Sequence, residues 1–253
     1  MTRTPLRALV GALLTVAVSG AVLTAPATAS APEARAAAKP AVGSCHATTA
    51  KEATAVSDGD AAVSCDKTHT GRTFLVPSVP ARIKMSDLDA LSRFSGKRCG
   101  PAWTEAVNPS LRVRMLSSYT YFWFAPTKKQ VDAGARWIRC DVALLAGPSL
   151  APLPAAKTPA LGKAPHPDNE ARCYLGKKGG YGLTVCTRSH QYRAKGIFQL
   201  TGRRYPSREG VLRAASRNCP RITGSQQWLV DPPSVTAWNG GVKLFVCSAK
   251  TTR

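Results

Sequence analysis

The sequence predicts an α+β protein made of two tandem small disulfide-stabilised domains, each a short antiparallel sheet with about one helix. Three observations predict it. Eight cysteines fall four and four on either side of a Pro/Ala-rich stretch. The two flanking segments repeat one another's spacing. Within each, β-branched and aromatic runs surround one longer segment that opens on a helix-capping serine.

The chain begins with Arg3 and Arg7, an apolar run from Ala8 to Ala25, and small residues at Ala27, Thr28 and Ala29. That layout reads as a secretory signal peptide over 1–29, cut after Ala29. The alternative is an uncleaved N-terminal anchor, because the run approaches the length of a membrane span. Pro26 and the Ala-x-Ala site favour cleavage. Residues 30–42 read as a flexible N-terminal segment.

Export implies an oxidising compartment, where an even cysteine count reads as disulfides. The candidates are Cys45, Cys65, Cys99 and Cys140 in the first half, and Cys173, Cys186, Cys219 and Cys247 in the second. Zinc is the rival reading, since Cys65 and His69, like Cys186 and His190, have ligand-like spacing. Bridges are expected to stay within each half, and the sequence leaves their pairing open. A hairpin turning at Lys178-Gly179-Gly180 would set Cys173 opposite Cys186.

The repeat supplies the domain boundaries. Residues 43–145 form a first copy, 146–170 a linker that buries little, and 171–249 a second copy, each expected to fold alone. Strand-like runs follow the first cysteine pair, at Thr73-Phe74-Leu75-Val76 and Gly196-Ile197-Phe198-Gln199-Leu200. Helices are expected to start at Ser86 and Ser207 and run to Cys99 and Cys219, with Leu91 and Val211 on the cysteine's face. Pro126 and Pro233 each precede the last cysteine by the same interval, with Gly134 matching Gly241 and Arg136 matching Lys243. This closing segment reads as an aromatic strand, a Pro-started turn, a Gly-containing bend and a final strand.

At these residues the chain resembles the bacterial septum-formation-related domain family. The matching features are Gly43-Ser44-Cys45, Cys65 with His69, Cys99, then Pro126-Thr127, Gly134, Arg136 and Cys140. In the second half they are Cys186 with His190, Cys219, Pro233-Ser234, Trp238, Gly241, Lys243 and Cys247. Ser44 replaces the family's Asp, Thr68 and Ser189 stand where a Pro often precedes the His, and Val131 occupies the Trp position. The resemblance implies an exported or membrane-anchored protein with a part in septation or envelope growth, and it implies no reaction.

Catalytic signatures are missing from the sequence: it holds no nucleophile elbow, zinc-protease helix, phosphate loop or Cys-x-x-Cys. His69 and His190, equivalently placed, read as packing or hydrogen-bonding residues, and Asp58-Gly59-Asp60 as a turn. The run Tyr119, Tyr121, Phe122, Trp123 and Phe124 reads as a partly buried strand before it reads as a protein-binding patch. The expectation is a non-enzyme without cofactor, metal or evident small-molecule substrate.

Charge gives the functional candidates. The whole chain carries +21, and removing Arg3 and Arg7 leaves 21 − 2 = +19. Residues 151–253 hold 17 Lys and Arg against 4 acids, +13, whereas residues 30–150 hold 16 against 10, +6. Lys177 and Lys178 on the hairpin tip, Arg203 and Arg204 before a helix, and Arg208, Arg213 and Arg217 on it form an expected anion-binding surface. The expected partner is anionic cell-wall polymer or a membrane surface. The alternatives are an envelope protein, with the chain a protein-interaction module of a division or envelope complex, or a secreted hydrolase. Nucleic acid fits the charge but lacks a recognised motif, and export argues against it.

Overall fold

The computed structural model describes residues 38–154 and 160–251. The expected signal peptide, and most of the segment 30–42, lie outside the described residues. Among the described residues, no helix is long and apolar enough to cross a membrane.

In the first half, strands β1 (Cys45–His46), β2 (Gly71–Leu75), β3 (Tyr119–Phe124) and β4 (Arg139–Ala146) form an antiparallel sheet in the order β1-β2-β4-β3, and β5 (Ser149–Ala151) pairs the end of β4. In the second, β6 (Arg172–Lys177), β7 (Gly180–Val185), β8 (Tyr192–Gln199), β9 (Trp228–Asp231) and β10 (Leu244–Lys250) are ordered β7-β6-β8-β10-β9. The helices are α1 (Ala50–Ala53), α2 (Leu88–Val107), α3 (Leu111–Met115) and α4 (Lys128–Asp132), then α5 (Arg208–Thr223) and α6 (Val235–Asn239). Both halves place a long helix between a strand next to the central one, β2 or β8, and the aromatic strand, β3 or β9, and a short helix before the central strand, β4 or β10. This is the α+β, disulfide-stabilised architecture that the spacing predicts.

Each long helix buries one stripe at i, i+4 and i+8: Leu91, Ser95 and Cys99 on α2, and Val211, Ala215 and Cys219 on α5. The stripe ends on a cysteine that reaches the strand beneath. The bridges are Cys45–Cys65, Cys99–Cys140, Cys173–Cys186 and Cys219–Cys247, so each half joins its first cysteine to its second and its third to its fourth. One bridge closes the sheet edge and the other bolts the helix to the central strand. The turn at Lys178-Gly179 forms as expected, with Gly179 at φ +84°.

Three local expectations change. Helix α2 is capped by Asp87, whose carboxylate accepts the Ala90 N–H at 2.9 Å, and not by Ser86. A carboxylate there also favours the positive end of the helix dipole. Both long helices continue past their cysteine through Pro101 and Pro220. Burial of Val107 at the end of α2 offsets the hydrogen bond that proline removes. The Pro-started turns are short helices, capped by Thr127 and Ser234, and the following Gly134 and Gly241 adopt φ +92° and +95°.

The described residues of the segment 146–170, which exclude 155–159, do not form a low-burial linker. Ser149–Ala151 pairs with β4, the Leu153 N–H donates to the His69 carbonyl at 2.9 Å, and the Leu161 N–H donates to that of Val107 at 3.0 Å. Leu150, Leu161 and His166 are buried. One apolar cluster contains Val107, Tyr119, Leu144, Ala151, Leu161 and Val185, and so draws on both halves and the segment between them. Ser118 adds polar ties, its Oγ donating to the Thr184 carbonyl at 2.7 Å and its N–H to that of Glu170 at 2.8 Å. A Pro/Ala-rich composition lowers the entropy lost on ordering, and Leu150 and Leu161 give it something to bury.

Candidate functional site

The seven basic residues singled out by the sequence are all exposed, and they occupy two places. Lys177 and Lys178 lie at the β6–β7 turn, on the opposite edge of the sheet from β9. Arg203 and Arg204 precede α5, and Arg208, Arg213 and Arg217 lie on it. Helix α5 packs its Val211–Ala215–Cys219 stripe against the sheet, so Arg213 and Arg217, one turn apart, face solvent. Arg221 continues that row by another turn and is also exposed. The sequence reading missed it, although the i, i+4, i+8 spacing was the available signal.

The loop that carries Arg203 and Arg204 is held from below. The Trp238 Nε1–H donates to the Arg203 carbonyl at 3.1 Å, and the Tyr205 hydroxyl donates to the Pro233 carbonyl at 2.9 Å. The Tyr205 and Trp238 rings meet edge to face at 5.6 Å. Lys243 donates to the Trp238 carbonyl at 2.7 Å and sets its ammonium 3.8 Å from the indole centre. Two arginines on an otherwise irregular loop therefore stand on a fixed aromatic base.

Among the described residues, no ion pair includes any of these basic side chains. Glu209 is the acid on the helix. Its carboxyl is held below the usual range by its own backbone N–H and the Ser207 hydroxyl, with Arg213 and Arg208 adding to the effect. Arginines spaced i, i+4 repel by about 0.2–0.5 kcal/mol per pair. The row thus weakens the helix slightly and leaves guanidinium groups available to an anion.

A different polar cluster lies inside the first half. Arg139 contacts Asp58 Oδ2 at 2.5 Å and Asp141 Oδ2 at 2.8 Å, and all three side chains are buried. The Asp141 contact is an ion pair without hydrogen-bond alignment. Thr73 donates to Asp141 Oδ1 at 2.8 Å, and His46 Nε2 lies 3.1 Å from Ser44 Oγ and 3.2 Å from Thr73 Oγ1. Burial, then the Arg139 charge, lowers His46 to about 4 and keeps it neutral. Burial raises Asp141 to about 6 against the opposing pull of Arg139 and Thr73. A serine beside a neutral histidine invites a catalytic reading, but Ser44 Oγ donates to the Ala41 carbonyl at 2.7 Å, so its proton is already engaged. Asp58 also accepts the Asp60 N–H at 2.9 Å, the turn that its spacing suggested.

The two repeated histidines hold backbone. His69 Nδ1–H donates to the Lys67 carbonyl at 2.9 Å, and His190 Nδ1–H to that of Arg188 at 2.7 Å. His190 forms a close group with Cys173 and Cys186, their ligand atoms within 4.8 Å of one another. The two sulfurs are bonded to each other, so the group lacks the thiolates that zinc requires.

The family described as Septum formation matches residues 42–247, well over half of the chain. The chain belongs to the Septum formation family. The match covers both halves and the segment between them in one span, in keeping with their shared core. No curated protein and no solved structure matches the chain. Of the features that carry the likeness to the Septum formation family, Gly134 and Gly241 supply left-handed turns, and Arg136 and Lys243 bind backbone carbonyls. Arg136 Nη2 donates to the Pro80 carbonyl at 2.8 Å and to that of Ile83 at 2.6 Å.

Proposed function

We propose that this Septum formation family protein is an exported, non-catalytic binding protein of the cell envelope, associated with septum formation or wall growth. It holds anionic envelope polymer or lipid on the basic face of its second half. The observation that carries this reading is the exposed arginine row of α5 together with the braced Arg203-Arg204 loop, none of them ion-paired. Four disulfides suit an oxidising, extracytoplasmic setting. Guanidinium groups bind phosphate and carboxylate in a bidentate way, and exposed ones act within a screening length of about 8 Å at physiological salt.

The test is a salt titration of the full oxidised protein against isolated wall, anionic vesicles and duplex DNA. Retention on wall or vesicles that falls steeply with salt is expected. Tighter binding to DNA than to either envelope material would contradict the reading, as would retention indifferent to salt.

A further inference from the structure

A cleft of about 370 Å³ opens where the two halves meet, lined by Leu116, Ala164, Pro165, Ala171, Ala194 and Lys195, with His166 and Arg193 at its wall. Its size is at the small end of ligand clefts. Its walls are fixed before any ligand arrives. Arg193 forms an ion pair with Asp168 and donates to the His166 carbonyl at 3.0 Å, while His166 Nε2–H donates to the Val113 carbonyl at 3.0 Å. These bonds pin segment 164–168 against β8 on one side and α3 on the other.

Lys195 is the residue that points to a ligand. On β8, Gly196 pairs with Cys247 and Ala194 with Ser248, so Lys195 is the extra residue of a β-bulge. Bulges re-aim a side chain, and they gather next to functional sites. The same register break occurs in the first half, where Thr73 pairs with Asp141, Leu75 with Cys140, and the skipped residue is Phe74. There the bulge sends an aromatic ring into the core, against Tyr121 at 6.3 Å. In the second half it holds an exposed ammonium at the cleft, with no ion pair or hydrogen bond to the described residues. The acids nearby are engaged elsewhere, Asp168 by Arg193 and Glu170 by Tyr119.

We propose that this cleft binds a carboxylate carried on a small apolar body, the chemistry of a short peptide's C-terminus with methyl-sized side chains. Lys195 receives the carboxylate, and the floor of Leu116, Ala171, Ala194 and Pro165 accepts the methyl groups. The site is separate from the basic helix and stands or falls without it.

The probe is N-acetyl-dialanine, as the free acid and as its C-terminal amide, with inorganic phosphate as a third ligand, titrated into the full oxidised protein and followed by NMR shifts. The free acid is expected to bind saturably, about tenfold more tightly than the amide or phosphate. Lys195→Gln should remove that preference and leave the thermal midpoint unchanged, because the side chain is exposed. Four results would overturn the proposal: no saturable binding, equal binding of acid and amide, phosphate binding as tight as the acid, or an unaffected Lys195→Gln protein.

Discussion

The two halves share a strand order, a helix position and a disulfide pattern, yet they spend their basic residues differently. In the first half, Arg139 stands across from Phe124 on the central strand and is buried between two carboxylates. The matching register in the second half pairs Val246 with Asp231, and Ser248 follows where the first half has Asp141. Arg136 is likewise committed to backbone carbonyls, whereas the arginines of α5 face solvent without ion pairs. The surplus of the second half is therefore a matter of placement as well as number. The first half buries an arginine between carboxylates where the second half has Val246, and the second half carries the larger exposed basic surplus.

The largest effect that would break this comparison is expected inside the first half. Arg139→Met leaves Asp58 and Asp141 buried together without their cation, which costs about 3–5 kcal/mol by denaturant unfolding under oxidising conditions. Val246→Met, at the matching position, should cost less, about 1–3 kcal/mol from overpacking alone. Comparable losses at both positions would mean that Arg139 is ordinary packing.

Next come the bridges. In the loop-entropy picture, stabilisation grows with the logarithm of loop length. Cys99–Cys140 spans 41 residues and Cys173–Cys186 spans 13. Replacing the first pair with alanine should cost about 1 kcal/mol more than replacing the second. The opposite order would show that strain or residual structure outweighs chain entropy.

The pH dependence sharpens the contrast further. Asp141 is raised to about 6, so its contribution is fully present below its unfolded value and is lost as pH rises through 6. His46 is lowered to about 4, so its contribution is present above 6.5 and is lost as pH falls through 4. Between about 4 and 6 the two slopes oppose each other, and this pair leaves stability nearly flat. Asp141→Asn should uncover a fall in stability on acidification, and His46→Gln a rise. Identical pH profiles in the two variants and the parent would contradict the linked network.

How much of this was legible in the sequence follows from what each feature depends on. The repeated cysteine spacing, the Ser207 cap and the Gly134–Gly241 correspondence depend on local geometry, and the structure keeps them. The hairpin at Gly179 was legible for the same reason. The Arg139–Asp58–Asp141 group was not, because Asp58 reads locally as a turn and meets Arg139 only through tertiary folding. The packing of the described parts of 146–170 escaped because the prolines there outnumber the apolar anchors, and two of those anchors, Leu150 and Leu161, look like linker residues until the fold surrounds them. The Lys195 bulge had no sequence signal at all, since it appears only as a break in register between β8 and β10.

A smaller effect is expected on the surface. Neutralising Arg213, Arg217 and Arg221 to glutamine should leave stability within about 0.5 kcal/mol of the parent, because exposed charges contribute little and the row relieves its own repulsion. A large loss on thermal unfolding would mean that the row is structural.

The central claim, that the second half displays charge for an anionic partner, is tested most directly by matched neutralisation. One variant changes Arg203, Arg204, Arg213 and Arg217 to glutamine, and the control changes Lys84, Arg93, Lys97 and Arg98 of the first half, so both lose the same charge. Retention on isolated wall and on anionic vesicles is then measured across a salt series. The account predicts that the first variant loses about tenfold in retention at low salt while the control stays close to the parent. Equal losses in both would mean that net charge alone governs binding, and no loss in either would remove the basic face from the function.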